Sequence, residues 1–313
     1  MEKLFNLYSC FLKMKPIIIP ETYKYIAIFP TFRCTLNCSY CINANDKNFS
    51  RLSKEISGEE WIRGLNRIIS LNVPLTFSGG EPTIHPDFLY IIKNIKPELG
   101  INILTNLYWT QGLLDKFISE IDSKRISGNP KYPSIRVSYH PEQMGDGKEL
   151  MKNILRLKNA GFNAGIEVVN YPSDEQGRAI EQMGIECRNN GLSFRVKSFI
   201  GKYEGKDDFG SSFVMKRGNY TKYPDSLFQD KTKFCVCKTS ELIIGPNGDV
   251  FRCHRDLYNQ ENAVGNILNP EFEIQDIFKS CDKYGNCNPC DVKSKSNSNQ
   301  ELGHTSVEIK DIN

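Results

Sequence analysis

The stretch Phe32-Arg33-Cys34-Thr35-Leu36-Asn37-Cys38-Ser39-Tyr40-Cys41 places three cysteines within eight residues, at the spacing C-x3-C-x2-C. It follows the apolar run Tyr25 to Phe29, which predicts a buried strand that ends in a cysteine-bearing loop. Thiolates this close together can meet at one metal centre, either iron–sulfur or zinc. Structural zinc usually takes four ligands, and the first histidine in the chain is His85. Composition alone leaves both metals open.

A second motif follows the next predicted strand, Val73 to Phe77, and reads Ser78-Gly79-Gly80-Glu81-Pro82. Two glycines let a ligand approach the backbone closely, and a glutamate carboxylate suits an ammonium group. Alone, such a turn usually does no more than end a strand. Together with the cysteine motif and the aromatic residue before its third cysteine, it resembles the radical S-adenosylmethionine (radical SAM) superfamily.

The resemblance implies a four-iron, four-sulfur cluster whose open iron binds S-adenosylmethionine, with three cysteine ligands: Cys34, Cys38 and Cys41. It implies that Tyr40 lies beside the adenine and that the turn of Gly79, Gly80 and Glu81 receives the methionine ammonium. Reductive cleavage would then give a 5'-deoxyadenosyl radical that abstracts a hydrogen atom from the substrate. The implied electron donor is a flavodoxin or ferredoxin type of protein.

Length and composition narrow the class of protein. At 313 residues we expect one large or two modest domains, and a formal charge of +3 predicts no particular attraction to nucleic acid. Nine of the eleven cysteines fall in two metal-like groups and no secretory signal is apparent, so a reducing cytoplasm is expected. The patchy apolar region Leu4 to Pro20 is too short to span a membrane.

Six strand-and-helix units follow one another between Tyr25 and about Ile200, which predicts an α/β fold with a parallel sheet. Capping boxes are expected where helices start, at Ser57 with Glu60 and at Ser173 with Gln176. Six units match the partial (β/α)6 TIM-type barrel of the resembled family. The expected domains are an N-terminal extension (1–23), the radical SAM barrel (24–200), a loop or lid (201–233), an auxiliary cluster domain (234–291) and a polar tail (292–313).

Reactive groups in such barrels gather at the carboxyl ends of the strands. That rule nominates seven cavity-facing residues: Ser78, Asn106, Ser138, Tyr139, His140, Asn170 and Lys197. Four of them are taken as cofactor-binding candidates: Ser78, Asn106, Ser138 and Asn170. His140 is a candidate for substrate contact or proton transfer, since histidine titrates near neutral pH. A purely structural role, in a turn or a helix cap, stays open for each.

Six more cysteines lie in the last third of the chain, around the run 242–251, whose Asn247-Gly248 pair predicts a hairpin. This pattern resembles the auxiliary-cluster extension called SPASM or, when shortened, twitch. It implies one further four-iron cluster on four cysteines: Cys235, Cys253, Cys287 and Cys290. Cys237 rivals Cys235, and Cys281 is either a ligand or a free thiol. A zinc ribbon with the same four ligands is the alternative.

Three functions are consistent with these motifs. The first is a radical SAM oxidoreductase, in which the auxiliary cluster assists oxidation or bond formation on a sugar, an aminocyclitol or a peptide. The second is a radical epimerase, in which the thiol of Cys237 or Cys281 returns a hydrogen atom to the substrate. The third is a non-catalytic scaffold for iron–sulfur clusters. The short segment before the first strand favours a small molecule, or a peptide that a partner protein presents.

Overall fold

The computed structural model describes residues 14–41, 54–126, 132–199, 202–203, 206–207, 235–281 and 307–311. For residues 198, 202–203, 206–207, 235 and 307–311 it describes the backbone alone. The predicted lid and polar tail therefore lie largely outside the described residues. The strands are β1 (Ile17–Ile18), β2 (Tyr25–Ile28), β3 (Ile68–Ile69), β4 (Leu75–Phe77), β5 (Ile101–Thr105), β6 (Ile135–Tyr139), β7 (Ala164–Asn170), β8 (Ser193–Ser198), β9 (Lys202–Tyr203), β10 (Lys206–Asp207), β11 (Cys235–Thr239), β12 (Glu241–Ile244), β13 (Asp249–Phe251), β14 (Gly265–Asn266), β15 (Lys279–Cys281) and β16 (Val307–Asp311).

The described helices are α1 (Gly58–Leu65), α2 (Phe88–Asn94), α3 (Gln111–Glu120), α4 (Pro141–Met144), α5 (Lys148–Asn159), α6 (Asp174–Asn189) and α7 (His254–Asn259). Two short 3-10 turns lie at Pro82–Ile84 and Ser123–Arg125. No helix within the described residues combines the length and the apolar character needed to cross a membrane.

Six parallel strands form the main part of one sheet, in the order β2-β4-β5-β6-β7-β8. Each strand pairs with the next along the sheet without a reversal of order, as in a barrel and unlike a doubly wound sheet. All six strands that the apolar runs predict are present. The α/β class and the partial barrel are thus confirmed.

The predicted hairpin near Asn247 is present and extends this same sheet. Strand β12 pairs with β2 in parallel, from Glu241 opposite Tyr25 to Ile244 opposite Ile28, and β13 returns antiparallel to it. Gly248 closes the turn at φ +82°, a conformation that favours glycine. Strand β14 then pairs with β13 at the edge. The hairpin thus shares a sheet with the barrel, and the separate domain 234–291 stays a prediction.

Side chains alternate between the two faces of the barrel strands. Ile135, Val137, Ile166 and Val168 belong to the main apolar cluster, together with helix residues such as Ile154. The face covered by the helices is therefore apolar. The opposite, concave face carries polar residues at the intervening positions: Thr76, Asn102, Arg136, Ser138 and Glu167.

Helix starts agree with the capping signals at one site fully and at the other in part. At Ser57 both halves of the capping box are present. At Ser173 the hydroxyl accepts from the Gln176 backbone N–H, but the Gln176 amide donates to the carbonyl of Val169 at 2.7 Å. The second capping box is therefore wrong, because the Gln176 side chain ties the start of α6 to the end of β7 instead.

Arg67 joins two segments of the chain that lie far apart in the sequence. Its guanidinium, which is 7 % exposed, donates to the carbonyls of Lys15 at 2.7 Å, Ile267 at 2.6 Å, Asn269 at 2.8 Å and Pro270 at 3.0 Å. These contacts join the segments before β1 and after β14 to the connection between α1 and β3. Burial lowers the pKa of Arg67, and the carbonyl oxygens take the place of the water it loses.

Candidate functional site

The cysteine loop and the glycine turn lie side by side because the neighbouring strands β2 and β4 end together. The backbone N–H of Gly80 donates to the carbonyl of Thr31 at 3.0 Å, and that of Glu81 to the carbonyl of Arg33 at 2.8 Å. A Cβ atom on Gly80 would lie 2.1 Å from the Arg33 oxygen, and one on Gly79, whose φ is +137°, would lie 2.3 Å from the Thr31 oxygen. Both glycines are therefore required by the close approach of the two motifs.

Arg33 and Glu55 stabilise the start of the cysteine loop. The Arg33 guanidinium donates to both carboxylate oxygens of Glu55, at 2.9 Å from Nε and 2.7 Å from Nη2. The Thr31 hydroxyl donates to Glu55 Oε1 as well, at 2.5 Å. Burial raises the pKa of Glu55, but the contacts with Arg33 and Thr31 outweigh it and leave this pKa lowered. The backbone that leads into the first cysteine is thus fixed by an ionised carboxylate.

Glu81 is 1 % exposed and its carboxylate is directed at the end of β5 rather than outward. It accepts from the Thr83 hydroxyl at 2.7 Å, the Thr105 hydroxyl at 2.8 Å, the Asn106 N–H at 2.7 Å and the Trp109 indole at 3.3 Å. Burial raises the pKa of Glu81, while the hydrogen bond from Asn106 opposes that rise. Its contact with a methionine ammonium stays a prediction, and the observed contacts lock the ends of β4 and β5 together.

Asn106 links the two motifs. Its amide donates to Cys34 Sγ at 3.5 Å and to the Thr35 hydroxyl at 3.0 Å, while its own Oδ1 accepts from the Tyr108 N–H at 2.8 Å. The next residue, Leu107, is buried with φ +52°, a left-handed conformation that non-glycine residues rarely adopt. Backbone strain of this kind concentrates at functional sites.

The three cysteines of the loop differ in exposure: Cys34 is exposed, Cys38 is buried and Cys41 is intermediate. Burial raises the pKa of Cys38 to about 12, with a further contribution from Cys41, and burial also raises the pKa of Cys34. In the described part of the chain, no three His, Cys, Asp or Glu side chains are arranged to hold a metal ion. The donor set nevertheless fits an iron–sulfur cluster, because all donors are sulfur atoms of one loop and influence one another's pKa.

Tyr40 crosses from the cysteine loop to the ends of β6 and β7. Its ring, 6 % exposed, packs against Tyr171 with centroids 5.0 Å apart, and its hydroxyl lies 3.3 Å from His140 Nδ1. The neighbouring Ser39 donates from its N–H at 2.5 Å and from its hydroxyl at 2.7 Å to the Glu142 carboxylate. The segment that leads into the third cysteine is thus tied to the residues that follow β6 and β7.

His140 lies at the N-terminus of α4 and its side chain makes no capping hydrogen bond. Burial lowers the pKa of His140 to about 4, although Glu142 opposes this, so the ring is neutral at pH 7. Its predicted role in proton transfer stays a prediction. The structure brings it to the same end of the barrel as Tyr40.

Among the other nominated residues, Asn170 is buried, and its Oδ1 atom has no hydrogen-bond partner within the described residues. Ser138 lies on the concave face opposite Glu167, and Lys197 lies on that face too. Tyr139 does not face the cavity: it is 1 % exposed in the helix-facing core, and its hydroxyl donates to the carbonyl of Gly145. Because side chains alternate along β6, Ser138 points into the barrel and Tyr139 points toward the helices. The prediction that Tyr139 faces the cavity is therefore wrong.

Sequence reasoning missed the charged residues of the concave face, Arg136, Glu167 and Arg195. Glu167 is 6 % exposed and forms an ion pair with Lys197. The signal was available in the sequence, since Glu167 interrupts an otherwise apolar strand and charged residues are rarely fully buried unless they are paired.

Three C-terminal cysteines act electrostatically on the guanidinium of Arg252. Burial lowers the pKa of this group, but Cys237, Cys253 and Cys281, with a smaller contribution from Asp256, raise it above its usual value. Strand β11 pairs with β15, with Cys235 opposite Cys281 and Cys237 opposite Lys279, and with β16 on its other side. The side chain of Cys235, and both Cys287 and Cys290, lie outside the described residues. The predicted ligand set is therefore untested, and the described thiols that act on Arg252 are Cys237, Cys253 and Cys281.

Comparisons with known proteins agree with this site. The family model "Radical SAM superfamily" matches residues 28–180. A "GTP 3',8-cyclase" of Lactiplantibacillus plantarum is 25% identical over 70% of this chain and 69% of its own length. A "PqqA peptide cyclase" of Bradyrhizobium diazoefficiens is 33% identical, but over only 28% of this chain and 22% of its own length. A solved structure of histidine-tagged "anSMEcpe with bound AdoMet" superposes with a TM-score of 0.50 at 15% identity, over 79% of this chain and 78% of that one, and shows a shared fold.

The family match spans the last residue of β2, the cysteine loop, the glycine turn and the barrel strands β4, β5, β6 and β7. Membership implies S-adenosylmethionine and a four-iron, four-sulfur cluster as cofactors, and the sulfur donors of the loop suit that cluster. From the motifs, the barrel and the comparisons together, we conclude that this chain belongs to the radical SAM superfamily.

Proposed function

We propose that this protein is a radical SAM oxidoreductase that abstracts a hydrogen atom from its substrate and completes an oxidation or bond formation with the help of a second, C-terminal iron–sulfur cluster. When bound, S-adenosylmethionine and the first cluster would supply the 5'-deoxyadenosyl radical. The observation that carries the proposal is the joint between the two motifs, in which Gly80 and Glu81 hydrogen-bond to the backbone that precedes Cys34.

The protein's own residues would position these cofactors. Cys34, Cys38 and Cys41 are proposed to ligate the first cluster, with Asn106 holding Cys34 in place through the 3.5 Å contact to its sulfur. Tyr40 would cover the adenine from the side of Tyr171, where its ring is already packed. Ser78, Gly79, Gly80, Ser138 and Asn170 complete the proposed cofactor contacts, since they lie at or near the carboxyl ends of the barrel strands.

The second cluster is proposed to use Cys237, Cys253 and Cys281, the thiols that influence Arg252. A fourth ligand would come from the remaining members of the predicted set, Cys235, Cys287 and Cys290, since a four-iron cluster takes four thiolates. A cationic guanidinium beside several thiolates stabilises their negative charge, which helps a thiolate cluster. This grouping favours shared ligation over a hydrogen-donating thiol, so we place the epimerase second.

The names of two relatives indicate the general class of substrate. One relative is named for a peptide and another for a nucleotide. A peptide or a small polar molecule is therefore proposed, with a flavodoxin or ferredoxin type of electron donor in a reducing cytoplasm. The non-catalytic scaffold is disfavoured because it would not need the glycine turn.

The test is anaerobic reconstitution followed by iron counting, electron paramagnetic resonance and assay of 5'-deoxyadenosine after reduction. Wild type should hold about eight irons per chain and release 5'-deoxyadenosine. A Cys34/Cys38/Cys41 triple alanine variant should hold about four and release none. A triple alanine variant of Cys237, Cys253 and Cys281 should also fall to about four while cofactor cleavage continues. Four irons in wild type, all lost with the first triple variant, would remove the second cluster and the redox role we give it.

A further inference from the structure

A group of charged side chains lies on the concave face of the barrel, away from the two cysteine sites. The register places Glu167 opposite Arg195 and Val169 opposite Lys197 in β7 and β8, so these residues share one face. Arg136 is two residues from Ser138, which lies opposite Glu167, and it therefore shares that face too. Arg136 and Lys197 both act on the one carboxylate of the group, Glu167, which leaves a formal excess of one positive charge among these three residues.

The carboxylate of Glu167 already has a cationic partner. Glu167 forms an ion pair with Lys197, and its side chain is only 7 % exposed. Burial raises the pKa of Glu167, but Lys197 and Arg136 outweigh that effect and lower it, so this group is an anion at pH 7. The single carboxylate of Glu167 cannot neutralise both Lys197 and Arg136, and uncompensated charge is costly in a low-dielectric cavity.

Arg136 shows where an additional anion fits. The Nε and Nη2 atoms of its guanidinium are buried and have no hydrogen-bond partner within the described residues. The flat face of the group lies 4.7 Å from the centre of the Tyr132 ring, a contact that leaves the N–H groups at its edge unused. An arginine with N–H groups on one edge matches the two oxygens of a carboxylate or the oxygens of a phosphate.

The charged group on the concave face is accessible to a ligand and lies close to the proposed reaction centre. The Lys197 side chain is 37 % exposed, so a ligand can reach the group. Val169, opposite Lys197, packs against the small cluster of Cys38, Tyr40 and Phe199. An anion held here would lie beneath the cysteine loop.

We propose that Arg136, Lys197 and Arg195 form an oxyanion-binding subsite for the substrate, and that the substrate carries a carboxylate or phosphate group. The inference rests on the proposed function, since it names the substrate class of that same barrel. Arg136 contacts the anion through its free edge, Lys197 shares its charge between the anion and Glu167, and Arg195 adds to the field. The anion thereby fixes the distance of the substrate's reactive carbon from the cofactor.

The test uses reconstituted protein under non-reducing conditions, with glutarate and inorganic phosphate as probes and uncharged glutaramide as the control ligand. Calorimetry should show saturable binding of one or both anions and none of glutaramide, and the anion that binds identifies the carboxylate or the phosphate class. Binding should weaken at least tenfold in Arg136→Gln and partly recover in Arg136→Lys, which keeps the charge but not the two-pronged edge. The exposed Arg178→Gln should bind as wild type. Circular dichroism confirms that each variant is folded.

Unchanged anion affinity in folded Arg136→Gln, or equal binding of glutaramide, would overturn the subsite. Competitive displacement of the anion by S-adenosylmethionine would overturn it as well, because the cations would then hold the cofactor's own carboxylate. The proposed function is read separately, from 5'-deoxyadenosine release by reduced wild type. Release without Arg136-dependent anion binding refutes the subsite alone, whereas anion binding without release refutes the proposed function.

Discussion

Replacing Gly80 with alanine perturbs the joint between the two motifs more directly than any change to the cysteines. The new Cβ would lie 2.1 Å from the Arg33 carbonyl oxygen and 2.5 Å from that of Phe32, whereas real Cβ contacts essentially never fall below 3.0 Å. The neighbouring atoms are backbone and cannot rotate away. The cysteine loop must therefore move by about 1 Å, in a region packed to the density of a protein interior.

The expected loss of stability follows from the contacts that this movement disturbs. Overpacking costs about 1–3 kcal/mol. The hydrogen bonds from Gly80 N–H to Thr31 and from Glu81 N–H to Arg33 contribute about 1 kcal/mol each, and both cross the joint. We expect Gly80→Ala to lower the free energy of unfolding by about 3 kcal/mol. The displaced loop should also assemble the first cluster poorly.

Urea unfolding of the cluster-free protein, followed by circular dichroism, measures the first effect, and iron content after anaerobic reconstitution measures the second. Gly112→Ala is the matched control, because a Cβ there meets nothing within 4 Å and the residue lies in the first turn of α3. That variant should be as stable as wild type or more stable, by up to about 1 kcal/mol. If Gly80→Ala unfolds within about 0.5 kcal/mol of wild type and takes up the same iron, the reasoning about the joint is refuted.

Three other predictions concern buried polar groups. Glu81→Gln should lower the free energy of unfolding by about 2–4 kcal/mol in urea, because an amide nitrogen at either carboxylate oxygen position would face an N–H group that can only donate, that of Asn106 or that of Trp109. His140 should make stability depend on pH: its pKa of about 4 in the folded protein is below the usual 6.5, so stability falls as pH drops from 6.5 to 4, by at most about 3 kcal/mol, and His140→Asn should flatten this slope. Arg67→Lys should cost about 2–4 kcal/mol, measured by thermal unfolding, because one ammonium cannot reach the carbonyls of both segments.

Surface substitutions of the same chemistry serve as controls. Glu175→Gln and Arg178→Lys alter an exposed ion pair and should change stability by less than about 0.5 kcal/mol. If a control variant lost as much stability as the variant at the corresponding buried residue, burial would not be the cause of the loss. An unchanged pH slope in His140→Asn would mean that other groups titrate in this window.

Local patterns were enough to predict the parts of this protein that depend on short stretches of chain. The six barrel strands follow from apolar runs, the capping box at Ser57 from four residues, and the hairpin from Asn247-Gly248. The spacing of Cys34, Cys38 and Cys41 indicates the cluster that the superfamily implies, while their ligation of it stays a prediction. In each case the signal and the structure involve neighbouring residues, whose geometry the backbone already restricts.

Packing between segments that lie far apart in the sequence decided the remaining features of the fold and of the site. Sequence could not show that the hairpin would extend the barrel sheet beside β2, that Gln176 would reach Val169, or that Arg136, Glu167 and Lys197 would share one concave face. Nor could it show that Glu81 is directed at β5 and buried there. These outcomes depend on strand register and on desolvation. Both are set only when the whole sheet has closed, because a shift of one residue moves every side chain to the opposite face.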